Sequence, residues 1–300
     1  MIERAIKDAL FRVAKSFPVT LVTGTRQTGK STLLKNYIQK DGCQYVTFDD
    51  KENILAVKEV PKLFMAVHKA PAVFDEIQYV PSLFSYIKMD VDSNRTPGMF
   101  YLTGSQQFSM MKSVLESLAG RVGILNLLPF SQRELVSDSF SAPFVPTQEY
   151  LLGRRESYKS ESLPPDAIWK TIQKGMYPEI CNGNVTSQDF FSSYIGTYIE
   201  RDVRLLTQVA DEMQFMQFIS VAAARTGQLV NYADMARTVG IDPNTAKRWL
   251  SVLVSSGIVY LLQPYFGNVE KRIVKTPKLY FVDTGLAAYL TKWTTEEVLM

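Results

Sequence analysis

Gly24-Thr25-Arg26-Gln27-Thr28-Gly29-Lys30-Ser31-Thr32 follows an apolar, β-branched run, Val19 to Thr23, and leads into a helix-like stretch, 32–39. Glycine, four free positions and Gly-Lys-Ser between a strand and a helix make a Walker A phosphate loop. Gly24 and Gly29 let the backbone curl so that successive N–H groups face phosphate oxygens. The helix that follows adds the positive end of its dipole. Lys30 brings a mobile cation to the β- and γ-phosphates, and the Ser31 hydroxyl is a ligand for Mg²⁺.

Forty-odd residues on, Ala72-Val73-Phe74-Asp75-Glu76 reads as a Walker B strand end. Asp75 is the carboxylate expected to hold the same Mg²⁺. Glu76, not needed for metal, suits a general base that polarises an attacking water, which hydrolysis requires and transfer to a bound metabolite does not. No guanine-reading Asn-Lys-x-Asp motif follows the later strands, so ATP is the expected nucleotide.

Composition narrows the alternatives. A chain of 300 residues with 46% hydrophobic and 21% charged residues buries an ordinary soluble core. A net charge of +3 and pI near 8.6 are only mildly basic, so nucleic-acid binding has to be argued locally. Two cysteines, Cys43 and Cys181, in unrelated contexts exclude a disulfide scaffold and a thiolate zinc site. One histidine, His68, leaves no material for a His-based metal centre or a Ser-His triad. With no signal-peptide core and no run of about 18 apolar residues, the expected location is cytoplasmic, without a membrane span.

Residues 1–136 alternate strand and helix patterns, the mark of a parallel sheet covered by helices. Five strands are expected at 19–23, 44–48, 72–75, 98–103 and 122–128, after a first helix over 2–15. Ligands in such sheets gather at the carboxyl ends of strands, where the loop, Asp75-Glu76 and Thr103 to Gln106 fall. A sensor of the γ-phosphate is expected among Thr103, Ser105 and Gln106, with an ordinary turn as the alternative. Residues 137–168, rich in Ser, Pro and charge, read as an exposed linker or insertion. A helical segment over 169–210 carries an aromatic stripe including Phe190, Phe191 and Tyr194, read as core, with Ser187 as its N-cap.

Residues 211–290 read as a winged helix-turn-helix. Helices are expected at 212–225, 232–239 and 244–255, with Asp242 as N-cap and Pro243 at the first turn of the third. Asn244, Thr245, Lys247 and Arg248 would face outward on that helix, where recognition helices touch base edges. A hairpin of 258–262 and 273–282 would form the wing, with Lys271, Arg272 and Lys275 placed to meet phosphates. Use of the same fold as a protein-packing module stays open. Phe281-Val282-Asp283-Thr284-Gly285 resembles half of an aspartic-protease site, but no second copy exists. Asp283 or Thr284 is instead expected to cap a helix containing Leu286 to Leu290.

These motifs, together with Asp75-Glu-Ile-Gln-Tyr-Val-Pro81, Leu118-Ala-Gly-Arg121, Gly175-Met-Tyr-Pro-Glu179 and Tyr198-Ile-Glu-Arg-Asp-Val-Arg204, carry a wider likeness. The chain resembles prokaryotic AAA-type ATPases whose C-terminal half is called the DUF4143 domain. The resemblance implies an additional-strand P-loop fold, with the fourth strand between the Walker A and Walker B strands, then the winged helix. Relatives of that kind continue into a nuclease-like domain, which this sequence is expected to lack or to stop short of. An arginine completing the ATP site is expected inside one of the family-like motifs. Arg121 is the first candidate, acting within or between subunits, ahead of Arg133, Arg201 and Arg204. The expected function is an Mg²⁺-dependent ATPase acting as a DNA-associated switch or motor, with double-stranded DNA and a homo-oligomer as partners. A nucleotide-gated protein scaffold and a small-molecule kinase are the rivals.

Overall fold

The computed structural model describes residues 2–39, 42–104, 114, 116–138, 144–157, 163–199, 212–265, 275–293, 295 and 298. Five parallel strands, β1 (Val19–Thr23), β2 (Gln44–Thr47), β3 (Ala72–Asp75), β4 (Phe100–Thr103) and β5 (Val122–Asn126), form one sheet in the order β2-β3-β4-β1-β5. The fourth strand therefore lies between the strands that end in the phosphate loop and in Asp75, as the resemblance implies. All five residues of β1 are buried, as suits a strand in a parallel sheet with helices on both faces. Its alternation divides the core. Val19 and Leu21 face one layer with Phe48, Phe74 and Phe100, while Val22 faces the other with Leu10, Leu33 and Val73. Phe74 and Phe100 stack with centroids 5.7 Å apart, which adds to the burial of two large apolar side chains.

The first helix spans Lys7–Ser16 rather than starting at residue 2. Residues 2–4 precede it as non-helical chain, and this frees Arg4 for a role described below. Inside the stretch 137–168 lies an exposed helix, Gln148–Ser157, tied back by Arg154 to Asp138. The next helix, Pro165–Lys174, packs on the helix Thr284–Leu290.

The second core is helical. Phe190, Phe191 and Tyr194 of the helix Ser187–Tyr194 are buried, and they pack with Phe215, Phe218, Trp249 and Leu286. Thr186, not Ser187, caps that helix by accepting from the Asp189 N–H at 3.1 Å. Both residues carry a hydroxyl, so composition could not choose between them. Helices Glu212–Ala224, Tyr232–Val239 and Pro243–Ser255 follow. An antiparallel pair, β6 (Val259–Leu262) with β7 (Lys278–Phe281), comes after them, and a bridge joins Leu229 to Lys278. Asp242 caps the third helix through the N–H groups of Asn244 and Thr245, 2.8 and 3.1 Å away. No helix among the described residues is long and apolar enough to cross a membrane.

Candidate functional site

The phosphate loop leaves β1 at Thr23 and enters the helix Lys30–Tyr37 through Gly29. Gly24 has φ 145°, and a Cβ there would stand 2.2 Å from the Leu127 carbonyl oxygen, so only glycine fits. Thr28 Oγ1 donates to the Thr25 carbonyl at 2.9 Å and closes the loop on itself. Lys30 is buried, its ammonium 2.9 Å from the Thr25 carbonyl and 3.3 Å from that of Gly24. Thr25 is buried, whereas Gln27 and Thr32 are exposed. Arg26 is half-buried, and Gln27 stands in the left-handed region at φ 62°.

Asp75 gathers hydroxyls. Ser31 Oγ donates to its Oδ1 at 2.9 Å, Tyr45 OH to its Oδ2 at 2.5 Å, and Thr103 Oγ1 to Oδ1 as well. Thr103 also accepts from the Glu76 N–H at 3.0 Å. Glu76 stands in the left-handed region at φ 56°, a conformation a non-glycine residue rarely takes and one that gathers at functional sites. Its carboxylate is bonded by Gln78 Nε2 and lines the same cavity as Lys30 and Ser31. A serine hydroxyl and a carboxylate that already meet, both hard oxygen donors, fit a magnesium ion that keeps most of its waters. The Tyr45 phenol is pushed well up, by burial first and by its bond to Asp75 second, so it remains a donor. The Lys35 ammonium stands 4.5 Å over the Tyr45 ring.

Three groups outside the phosphate loop hold this site. The Arg4 guanidinium donates to the Thr28 carbonyl at 2.9 Å, the Leu128 carbonyl at 2.6 Å and Glu134 Oε1 at 3.0 Å. It also lies 4.6 Å over the Phe130 ring. Burial pushes the Glu134 carboxyl up, but N–H bonds from Ser131 and Ala5 together with Arg4 outweigh it and hold the group below the usual range. Tyr177 is buried, its hydroxyl 3.3 Å from Thr25 Oγ1 in the loop and 3.2 Å from the Tyr194 hydroxyl. Its neighbour Met176 accepts from the Phe130 N–H at 2.8 Å. The cavity over the loop, of about 570 Å³, is lined by Gly29 to Leu33 and by Pro178, Glu179 and Asn182 of the C-terminal half. A larger and mostly apolar cavity, about 1020 Å³, opens beyond Arg4 and Phe130 and contains no residue of the loop.

The remaining expected residues lie apart. Arg121 sits at the amino end of β5, and its carbonyl accepts from Val19 N–H, a strand length of roughly 16 Å from the loop. Its guanidinium bonds Asp92 at 2.5 Å and the Ala119 carbonyl at 3.1 Å, so it is not brought to the phosphate loop of its own chain. Arg133 stands beside Asp138. Ser105, Gln106, Arg201 and Arg204 lie outside the described residues. Asn244, Lys247 and Arg248 are exposed on the helix Pro243–Ser255, Thr245 donates to Asp242, and Lys275 is exposed ahead of β7. Lys271 and Arg272 lie outside the described residues. Asp283, the residue of the protease-like triplet, is buried and caps the helix Thr284–Leu290 through the Leu286 N–H at 2.9 Å. Among the described residues, no group of three or more His, Cys, Asp or Glu side chains could hold a metal ion.

Residues 16–136 match the AAA domain family. Residues 165–297 match a domain of unknown function, DUF8612, where the sequence resemblance named DUF4143. Uncharacterized proteins of Mycobacterium bovis and Mycobacterium tuberculosis are each 29% identical over 291 residues, 95% of this chain. The chain spans 59% of the length of these curated relatives. Among solved structures, a Walker-type ATPase of Pyrococcus abyssi superposes with a TM-score of 0.56 over 97% of this chain and 96% of its own, at 15% identity. That similarity is one of fold. The five-stranded sheet in the additional-strand order and the complete phosphate loop agree with the match of residues 16–136 to the AAA domain.

Proposed function

We propose that this protein binds Mg·ATP over the loop Gly24 to Thr32 and hydrolyses it. The observation that carries this reading is the meeting of Ser31 and Asp75 at 2.9 Å beneath a loop whose lysine is buried and whose neighbouring acid, Glu76, opens into the same cavity. Ser31 and Asp75 would hold the magnesium ion, which when bound offsets negative charge on the phosphates. Lys30 exchanges its bonds to the loop carbonyls for phosphate oxygens. Glu76 accepts a proton from the attacking water, and Thr103 keeps Glu76 and Asp75 in register through its single hydroxyl. The test is Glu76→Gln, which keeps its size and its place beside Gln78. ATP affinity should stay within a few-fold of wild type while turnover falls by about 10²–10⁴. Wild-type turnover in that variant removes Glu76 from the base role.

The last third suits a winged helix that contacts duplex DNA, so that ATP turnover drives a DNA-associated switch. Support comes from three helices followed by an antiparallel pair, with Lys247 and Arg248 exposed on the third helix and Lys275 exposed at the pair. Neutralising Lys247, Arg248, Lys271, Arg272 and Lys275 together should weaken duplex binding and flatten its salt dependence by about 0.9 per lost phosphate contact. An unaltered slope favours a protein partner for this surface. Arg121, turned away from its own loop, is suited to a neighbouring subunit's site. Mixing Arg121→Ala with Lys30→Ala subunits should then restore turnover that neither shows alone.

A further inference from the structure

The cavity over the phosphate loop has two walls, and the second belongs to the C-terminal half. Direct bonds set the spacing between them. The Phe130 N–H donates to Met176, and the Tyr177 hydroxyl meets Thr25 in the loop. Pro178, Glu179 and Asn182 follow immediately and face the loop across the cavity. Glu179 thus stands two residues from a side chain bonded to the phosphate loop itself.

Charge decides what Glu179 can meet there. The loop and Lys30 collect anions, and a carboxylate turned toward the same phosphates would repel them. A carboxylate only accepts hydrogen bonds, so its ligand must donate. Within a nucleoside triphosphate, the vicinal 2′ and 3′ hydroxyls of the ribose are the adjacent donors one carboxylate can accept from together. Asn184 Nδ2 donates to Glu179 Oε2 at 2.8 Å and fixes the orientation of the group. Ile2, Tyr37 and Pro178 line the same cavity and offer apolar surface to a base. Resting on the nucleotide reading above, we propose that Glu179 reads the ribose hydroxyls, so that a ribonucleotide is gripped by both halves of the chain at once.

Calorimetric affinities for ATP, 2′-deoxy-ATP and 3′-deoxy-ATP test this on the full chain. Wild type should bind ATP about tenfold more tightly than either deoxy form, the usual worth of a hydrogen bond to a charged group. Glu179→Ala should lose both bonds to ATP, about a hundredfold, and the one bond left to each deoxy form, about tenfold, so the preference disappears. Asn184→Ala, which frees the carboxylate, should narrow the preference without abolishing it. Glu179 is exposed, and an unchanged thermal midpoint would show that both variants fold. A preference that survives Glu179→Ala, or equal losses for all three nucleotides, overturns the proposal alone. A wild type that binds none of them overturns the nucleotide reading and the proposal with it.

Discussion

Asp75 and Asp283 are both 3% exposed, and both stand at or just past the end of a strand, one in each half of the molecule. Their partners differ in kind. Asp75 is surrounded by the hydroxyls of Ser31, Tyr45 and Thr103. Asp283 accepts from the backbone N–H groups of Met176 and Leu286, at 2.8 and 2.9 Å. A hydroxyl can rotate and release its acceptor when a stronger ligand arrives; a backbone amide cannot move without moving the chain. Burial alone therefore does not mark the functional acid. The replaceability of its donors does, and by that measure Asp75 is built to receive an ion and Asp283 to join two segments.

The comparison breaks most visibly at Asp75. Asp75→Asn should cut Mg²⁺-dependent ATP turnover by about 10³, some 4 kcal/mol in the barrier, because the ion loses its only carboxylate in the proposed pair. Its thermal midpoint should stay close to wild type, since the amide oxygen can still accept from Ser31 and Thr103 while its NH2 donates to the Tyr45 hydroxyl oxygen. Comparable destabilisation at Asp75 and Asp283 would erase the distinction.

Asp283 should answer to pH instead. Burial holds its carboxyl up at about 6, even though backbone bonds from Met176, Leu286 and Gly285 pull the other way. The folded state then holds a proton between about pH 4 and pH 6 that the unfolded chain has released. Stability present below about pH 4 is lost as pH rises through 6, by up to about 3 kcal/mol. Urea unfolding of Asp283→Asn should lack that slope, whereas wild type and Asp75→Asn should share it.

The smallest effect belongs to Tyr45, which sharpens the picture of the donor ring. Tyr45→Phe removes the bond to Asp75 Oδ2 and leaves Ser31 and Thr103 in place. The Mg²⁺ concentration that half-saturates ATP binding should rise about tenfold, the lower end for a residue that orients a metal ligand. Binding of metal-free ATP should be unmoved. An equal loss with and without the metal would make Tyr45 a packing residue.

Much of the N-terminal half is legible in the sequence because its information is local. β1 and β3 begin and end where they are expected, since each is a short apolar run bounded by Pro, Gly or acid. The loop is legible because phosphate chemistry demands those residues in that order. Tyr45 and Tyr177 were not legible as site residues, because nothing near either one in sequence says that its hydroxyl reaches Asp75 or Thr25. Arg4 was hidden by the reading of residues 2–15 as one helix; the helix starts at Lys7, and the free segment carries Arg4 to partners up to 130 residues away. Asp283 is legible as a helix cap, the role it takes through the Leu286 N–H, but its second bond, to Met176 107 residues away, is not.

The bonds from Phe130 to Met176 and from Tyr177 to Thr25 bear on how such a protein can be taken apart or recombined. The two family matches meet between residues 136 and 165, which looks like a natural cutting point. The physical seam lies elsewhere, since Met176 and Tyr177 serve the phosphate loop while belonging to the later segment. A chimera that keeps residues 1–136 and imports another C-terminal half must place a backbone carbonyl opposite the Phe130 N–H and a tyrosine hydroxyl at Thr25, or rebuild those contacts. Modularity in this chain is a property of its sequence families more than of its cooperative unit.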